Sequence, residues 1–134
     1  MPTRPASGTN EERDPSRRRH VGLTVPRAVK EQALEAAGVM RWPLGTWVLA
    51  AAAEHGPRLR EVLGEVRVAK RPKVVDATFT ALYVTDDERA ELDDQARACG
   101  LNRSAFVTAV ARLALGEEVD AVCDDLRAKQ KPTG

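Results

Sequence analysis

The sequence predicts a mostly α-helical chain that carries one short two-stranded antiparallel ribbon. Two observations predict it. Residues 20–56 (HVGLTVPRAVKEQALEAAGVMRWPLGTWVLAAAAEHG) and residues 79–115 (FTALYVTDDERAELDDQARACGLNRSAFVTAVARLAL) align without a gap over 37 positions, at a constant offset of 59. Each copy opens with period-two alternation and continues as two stretches whose apolar residues recur three and four apart, with a turn between them. Each copy therefore reads strand, helix, helix. One such unit cannot enclose a core: its strand lacks a partner and its helices cover only one face. Two units can, by pairing their strands antiparallel and interlocking their helices, and both lie on this one chain.

Residues 1–17, rich in Pro, Ser, Gly and charge, are expected to form a disordered basic arm that carries Arg4, Arg13 and Arg17. The first unit spans 18–63. In its strand Val21, Leu23 and Val25 face inward, and His20, Gly22 and Thr24 face outward. Pro26 follows, where the first turn of a helix tolerates proline. Ala33, Ala37 and Met40 mark the inner stripe of the first helix. The second helix is expected from about Leu44 to about His55, with Trp47 in the core, His55 near its C-terminus and Gly56-Pro57 as its stop. Leu59, Val62 and Leu63 form a further short helical pattern.

Residues 64–76 (GEVRVAKRPKVVD) read as a basic linker, and 77–128 as the second unit with an added C-terminal helix. Thr80, Leu82 and Val84 face inward; Phe79, Ala81 and Tyr83 face outward. Thr85 and Glu88 form a capping box, and the acidic turn Asp86-Asp87-Glu88 suits the positive end of the helix dipole. That helix is expected from about Asp86 to about Ala98, with Leu92, Ala96 and Cys99 on its inner stripe and Gly100 as a left-handed stop. Asn102 caps the next helix, whose inner face carries Phe106, Val110 and Leu113 while Arg103, Thr108 and Arg112 point away. Val119, Val122 and Leu126 form the closing helix, and 129–134 a tail.

The formal net charge of +1 conceals an asymmetry. Residues 1–74 hold 14 Lys/Arg against 8 Asp/Glu, and residues 75–134 hold 7 against 12. One half is suited to an anion and the other is not. No run approaches the about 18 apolar residues of a membrane span, and the N-terminus lacks the apolar core of a signal peptide. Cys99 and Cys123 have no metal-ligand spacing and read as buried, reduced thiols, so a cytoplasmic protein without metal or cofactor is expected. No nucleophile–base constellation, P-loop or dinucleotide fingerprint is present, so an enzyme is not expected.

These residues resemble the ribbon-helix-helix DNA-binding family over residues 18–116. The stretch YVTDDERAELDDQARACGLNRSAFVTAVARLALGE is similar to plasmid mobilisation proteins of the MobC kind, and the tandem layout to conjugation accessory proteins of the TraY kind. The resemblance implies a tandem ribbon-helix-helix pseudo-dimer with its ribbon in the major groove of double-stranded DNA. By position, the base readers would be His20, Gly22 and Thr24 from one strand, preceded by Arg18, and Phe79, Ala81 and Tyr83 from the other. The phosphate clamps would be Asn102, Arg103 and Ser104 at one helix start, with Leu44, Gly45 and Thr46 at the other.

Arg17, Arg18 and Arg19 run into the first strand, and Lys70, Arg71 and Lys73 precede the second, so each strand is entered through a basic cluster. The implied role is an accessory protein of a plasmid relaxosome, with a relaxase or another protein as a further partner. A transcriptional repressor or antitoxin remains open. So does a protein-interaction module, because Phe79, Ala81 and Tyr83 offer little hydrogen bonding. The resemblance fits a monomeric pseudo-dimer or a homodimer.

Overall fold

The computed structural model describes residues 17–63 and 76–128. The predicted arm up to residue 16, the linker cations Lys70, Arg71 and Lys73, and the tail 129–134 lie outside the described residues. The described residues are mostly helical, with five helices and one two-stranded antiparallel sheet among them. The order is β1 (Arg19–Pro26), α1 (Arg27–Met40), α2 (Leu44–Leu63), β2 (Ala77–Val84), α3 (Asp86–Ala98), α4 (Arg103–Ala114) and α5 (Val119–Ala128).

Alternation sets the two faces of the sheet. Val21, Leu23, Val25, Thr80, Leu82 and Val84 are buried; His20, Gly22, Thr24, Phe79, Ala81 and Tyr83 are exposed. In the register Gly22 lies opposite Ala81, with His20 opposite Tyr83 and Thr24 opposite Phe79. Gly22 and Ala81 are also equivalent under the 59-residue offset of the sequence copies. The ribbon is thus centred on one repeated position.

The helices interlock across the two copies. The core joins Phe106, Val110 and Leu113 of α4 to Trp47, Val48, Ala51 and Ala52 of α2, beneath Leu82, Leu92 and Ala96. α4 packs on β1, and α2 packs on β2, so each second helix sits on the strand of the other copy.

Three local expectations about the first copy are corrected. α2 does not stop at Gly56-Pro57 but continues to Leu63. Proline costs about 3 kcal/mol within a helix, largely through the lost hydrogen bond to the preceding turn. Here the orphaned carbonyl belongs to exposed Ala53, while the buried stripe continues through Gly56, Leu59 and Leu63. Burial of the two leucines, about 1.5–3 kcal/mol each, offsets that cost. Gly56 is buried, and a side chain there would displace the Gln95 amide and meet the Phe106 ring at van der Waals distance. His55 consequently lies inside α2, and Leu59, Val62 and Leu63 belong to the same helix.

Second, Met40 is 50% exposed, whereas Cys99 at the equivalent position is buried. Third, Pro26 pairs with Ala77 at the end of β1 and serves as the N-cap of α1, one residue before its first turn. With no capping side chain there, the Arg27 N–H donates to the Asp76 carbonyl at 2.9 Å.

The ends of α1 and α3 share one geometry. In α3 the Leu101 N–H reaches the Ala96 carbonyl and the Gly100 N–H the Arg97 carbonyl, with Gly100 at φ 75°. In α1 Trp42 and Arg41 make the equivalent bonds to Ala37 and Gly38, and Arg41 takes φ 62°. Thr85 accepts from the Glu88 N–H while its own N–H donates to Glu88 Oε1, which completes the capping box of α3. α5 is fastened by Arg112, which does not point away into solvent. Its guanidinium donates to Glu117 at 2.7 Å and contacts Asp125 of α5 at 2.7 Å.

Candidate nucleic-acid interface

A two-stranded sheet has two outer edges whose backbone groups need partners. Both edges are met by the first turn of a second helix. On β1, the Thr24 N–H donates to Ser104 Oγ at 2.9 Å. On β2, Gly45 abuts the backbone of Tyr83 so closely that a Cβ would lie 3.0 Å from its carbonyl oxygen. Gly45 and Ser104 are equivalent under the repeat offset, as are Tyr83 and Thr24. The same helix position touches the same strand position twice.

The starts of α2 and α4 therefore flank the exposed ribbon face, one along each strand. The first internal backbone bonds run from the Trp47 N–H to Pro43 O and from the Phe106 N–H to Asn102 O. The amides of Leu44, Gly45 and Thr46, and those of Arg103 and Ser104, precede them and form the positive ends of two helix dipoles. Asn102 is exposed and caps α4 by accepting from the Ala105 N–H at 2.8 Å. Pro43, its counterpart, has no acceptor side chain.

The exposed face itself is ring-rich. His20 and Tyr83 pair across the strands with centroids 5.0 Å apart and planes tilted by 39°. Phe79 is 67% exposed and Tyr83 51%. Phe79 leans diagonally toward β1: a Cβ at Gly22 would come within 2.8 Å of its Cε1. Lys30 of α1 donates from Nζ to the Phe79 carbonyl at 3.1 Å, which sets an ammonium beside the ribbon.

The predicted cations are placed differently from one another. Arg17 is exposed. Arg18 meets Glu88 at 3.2 Å and Arg19 meets Asp86 at 3.4 Å. Arg103 does not extend into solvent but forms a two-pronged bond with Asp93, at 2.7 and 2.9 Å. Its hydrogen bonds hold the Asp93 carboxyl below the ordinary 3.8, against an upward push from burial. Burial raises the Cys99 thiol to about 11, which keeps it protonated and unreactive at neutral pH.

The structure brings the six outward strand residues and both helix starts together; Lys30 and Asp93 are not anticipated from the sequence, and Asp86 and Glu88 are anticipated only as the first turn of α3. The register carried the signal for the latter two. Antiparallel pairing sets Arg19 opposite Val84, so the arginines before β1 must run beside the residues after β2, the acidic turn of α3.

No helix among the described residues is long and apolar enough to cross a membrane. Comparisons with protein-family profiles, curated proteins and solved structures found no match.

Proposed function

We propose that the chain binds double-stranded DNA as a tandem ribbon-helix-helix pseudo-dimer and serves as an accessory component of a plasmid mobilisation relaxosome. The observation that carries the DNA reading is the exposed ribbon face bordered on both edges by helix starts. A ribbon offers side chains to the major groove, and helix N-termini on either side favour the phosphates that line it. The register centred on Gly22 and Ala81 supports the pseudo-dimer. The mobilisation role rests on the similarity of the second unit to MobC-type proteins, and a repressor would use the same interface.

Binding through several cations weakens steeply with salt. A titration of duplex affinity from low to physiological salt, on wild type and on Arg17→Ala/Arg18→Ala/Arg19→Ala, tests the interface. The variant is expected to bind more weakly with a shallower slope and unchanged helicity. Equal affinity would remove the arginines from the interface. Recovery of host DNA fragments bound by the protein then separates the roles: enrichment beside a relaxase gene supports mobilisation, and enrichment at its own promoter supports repression. No stimulation of nicking by that relaxase would overturn the mobilisation role.

One observation favours a second reading, a protein-interaction module. Arg18, Arg19 and Arg103 each meet an acidic side chain within the molecule, while Phe79 and Tyr83 stand exposed. Under this reading duplex affinity stays weak even at low salt.

A further inference from the structure

We infer that the outer ribbon face is a stacking surface for the unpaired bases of a single DNA strand. The inference rests on the nucleic-acid reading and names a second ligand for the same face. The chain has two Phe, two Trp and one Tyr, and it places one Phe and the Tyr among the six outward ribbon residues. Solvent-facing aromatic rings forgo burial, so their concentration there calls for a ligand that covers them.

The arrangement of the rings selects the ligand. Gly22 and Ala81 leave the centre of the ribbon low. Phe79 reaches across that centre, its Cε1 and Cζ edge over Gly22, and stays 67% exposed there. His20 and Tyr83 add a tilted ring pair at one end of the ribbon. A duplex shows base edges in its grooves and keeps base faces within the stack. Exposed ring faces find their match in unstacked bases, which stack on aromatics with little regard to sequence.

Charge supports the same ligand. The Lys30 ammonium is held at the Phe79 carbonyl, and Arg17 and Arg18 are exposed before β1. A strand whose bases lie on Phe79 and Tyr83 would carry its phosphates past these cations. An uncharged peptide would gain nothing from them.

The test uses the full chain with a fluorescently labelled 30-nucleotide single strand of mixed sequence and the matching duplex, both read by polarisation at low salt. Phe79→Ala and Tyr83→Ala are compared with wild type, and Phe79→Leu retains apolar bulk without a ring. Melting curves verify that these exposed substitutions leave the fold intact. The expected result is single-strand binding that falls about 10-fold in Phe79→Ala and in Phe79→Leu, a larger fall than duplex binding shows in the same variants.

A single strand carrying 5-iododeoxyuridine should cross-link to Phe79 or Tyr83. Duplex binding without single-strand binding, or single-strand binding indifferent to both substitutions, overturns the inference and leaves the duplex reading standing. Binding to neither, with capture of a protein partner through Phe79, overturns both.

Discussion

The Thr24 N–H donates to Ser104 Oγ at 2.9 Å, a contact that ties β1 to the start of α4 across 80 residues of sequence. Its counterpart on β2 has no hydroxyl: Gly45 lies directly on the Tyr83 backbone. The two contacts hold helix starts against the ribbon by different means, and substitution should separate them. Ser104→Ala removes one exposed hydrogen bond that water can replace, so a loss of about 0.5–1 kcal/mol is expected. Gly45→Ala places a methyl 3.0 Å from a carbonyl oxygen and 3.2 Å from Val84 Cγ1, and backbone cannot swing aside. A loss of about 1–3 kcal/mol is expected there, as for other overpacked sites. Urea unfolding of both variants measures the difference, and an equal or larger loss in Ser104→Ala would refute it.

Thr80 is 4% exposed on the inner ribbon face, opposite Leu23. Its hydroxyl makes no hydrogen bond among the described residues. The equivalent position in the first copy is Val21, which fits the same kind of pocket. Thr80→Val removes an unsatisfied buried hydroxyl at nearly constant volume and should stabilise the fold by about 1–2 kcal/mol. A raised melting temperature with an unchanged urea m-value would agree. A lowered one would mean that the hydroxyl has a partner, such as a buried water.

Much of this architecture is legible in the sequence because local chemistry and tertiary packing agree. The alternation around Leu23 and Leu82 gives the two sheet faces, Thr85 with Glu88 gives the start of α3, and Gly100 its end. At α2 local chemistry and tertiary packing disagree. Gly56-Pro57 is locally a stop, but the burial of Leu59 and Leu63 lies beyond it and depends on contacts with distant elements. The ion pair of Arg103 with Asp93 was illegible for a similar reason. Both residues look solvent-facing on their own helices, and only the packing of α3 beside α4 sets them together.

Arg41 shows the two copies solving one turn unequally. It occupies the left-handed region at φ 62°, where the second copy has Gly100 at 75°. A side chain there costs about 1–2 kcal/mol, part of which glycine gives back through its freer unfolded chain. Arg41→Gly is therefore expected to stabilise by about 0.5–1 kcal/mol, and Gly100→Ala to destabilise by about 1 kcal/mol or more. Thermal melts of the two variants should move in opposite directions, and movement in the same direction would contradict a shared turn geometry.

Asp93 links stability to the proposed interface through Arg103. Its folded-state pKa lies below the ordinary 3.8, chiefly because Arg103 donates two hydrogen bonds to it. A lowered carboxyl pKa adds stability that is complete above the unfolded value, near 3.8, and is lost as pH falls through the lower folded value. Wild type should be more stable than Asp93→Asn at neutral pH, with a gap that closes as the pH drops below 3.8. A gap that persists undiminished into strong acid would mean that Asp93 acts by packing and not by charge. The same substitution releases a guanidinium at the first residue of α4, beside the ribbon. If that helix start meets phosphate, Asp93→Asn should bind duplex DNA more tightly at low salt and steepen the dependence of log affinity on log salt by up to about 0.9, the increment of one added phosphate contact. Stability loss without any gain in affinity would mean that α4 begins away from the DNA, and would leave the phosphate contacts to the α2 side and to the cations Lys30 and Arg17–Arg19.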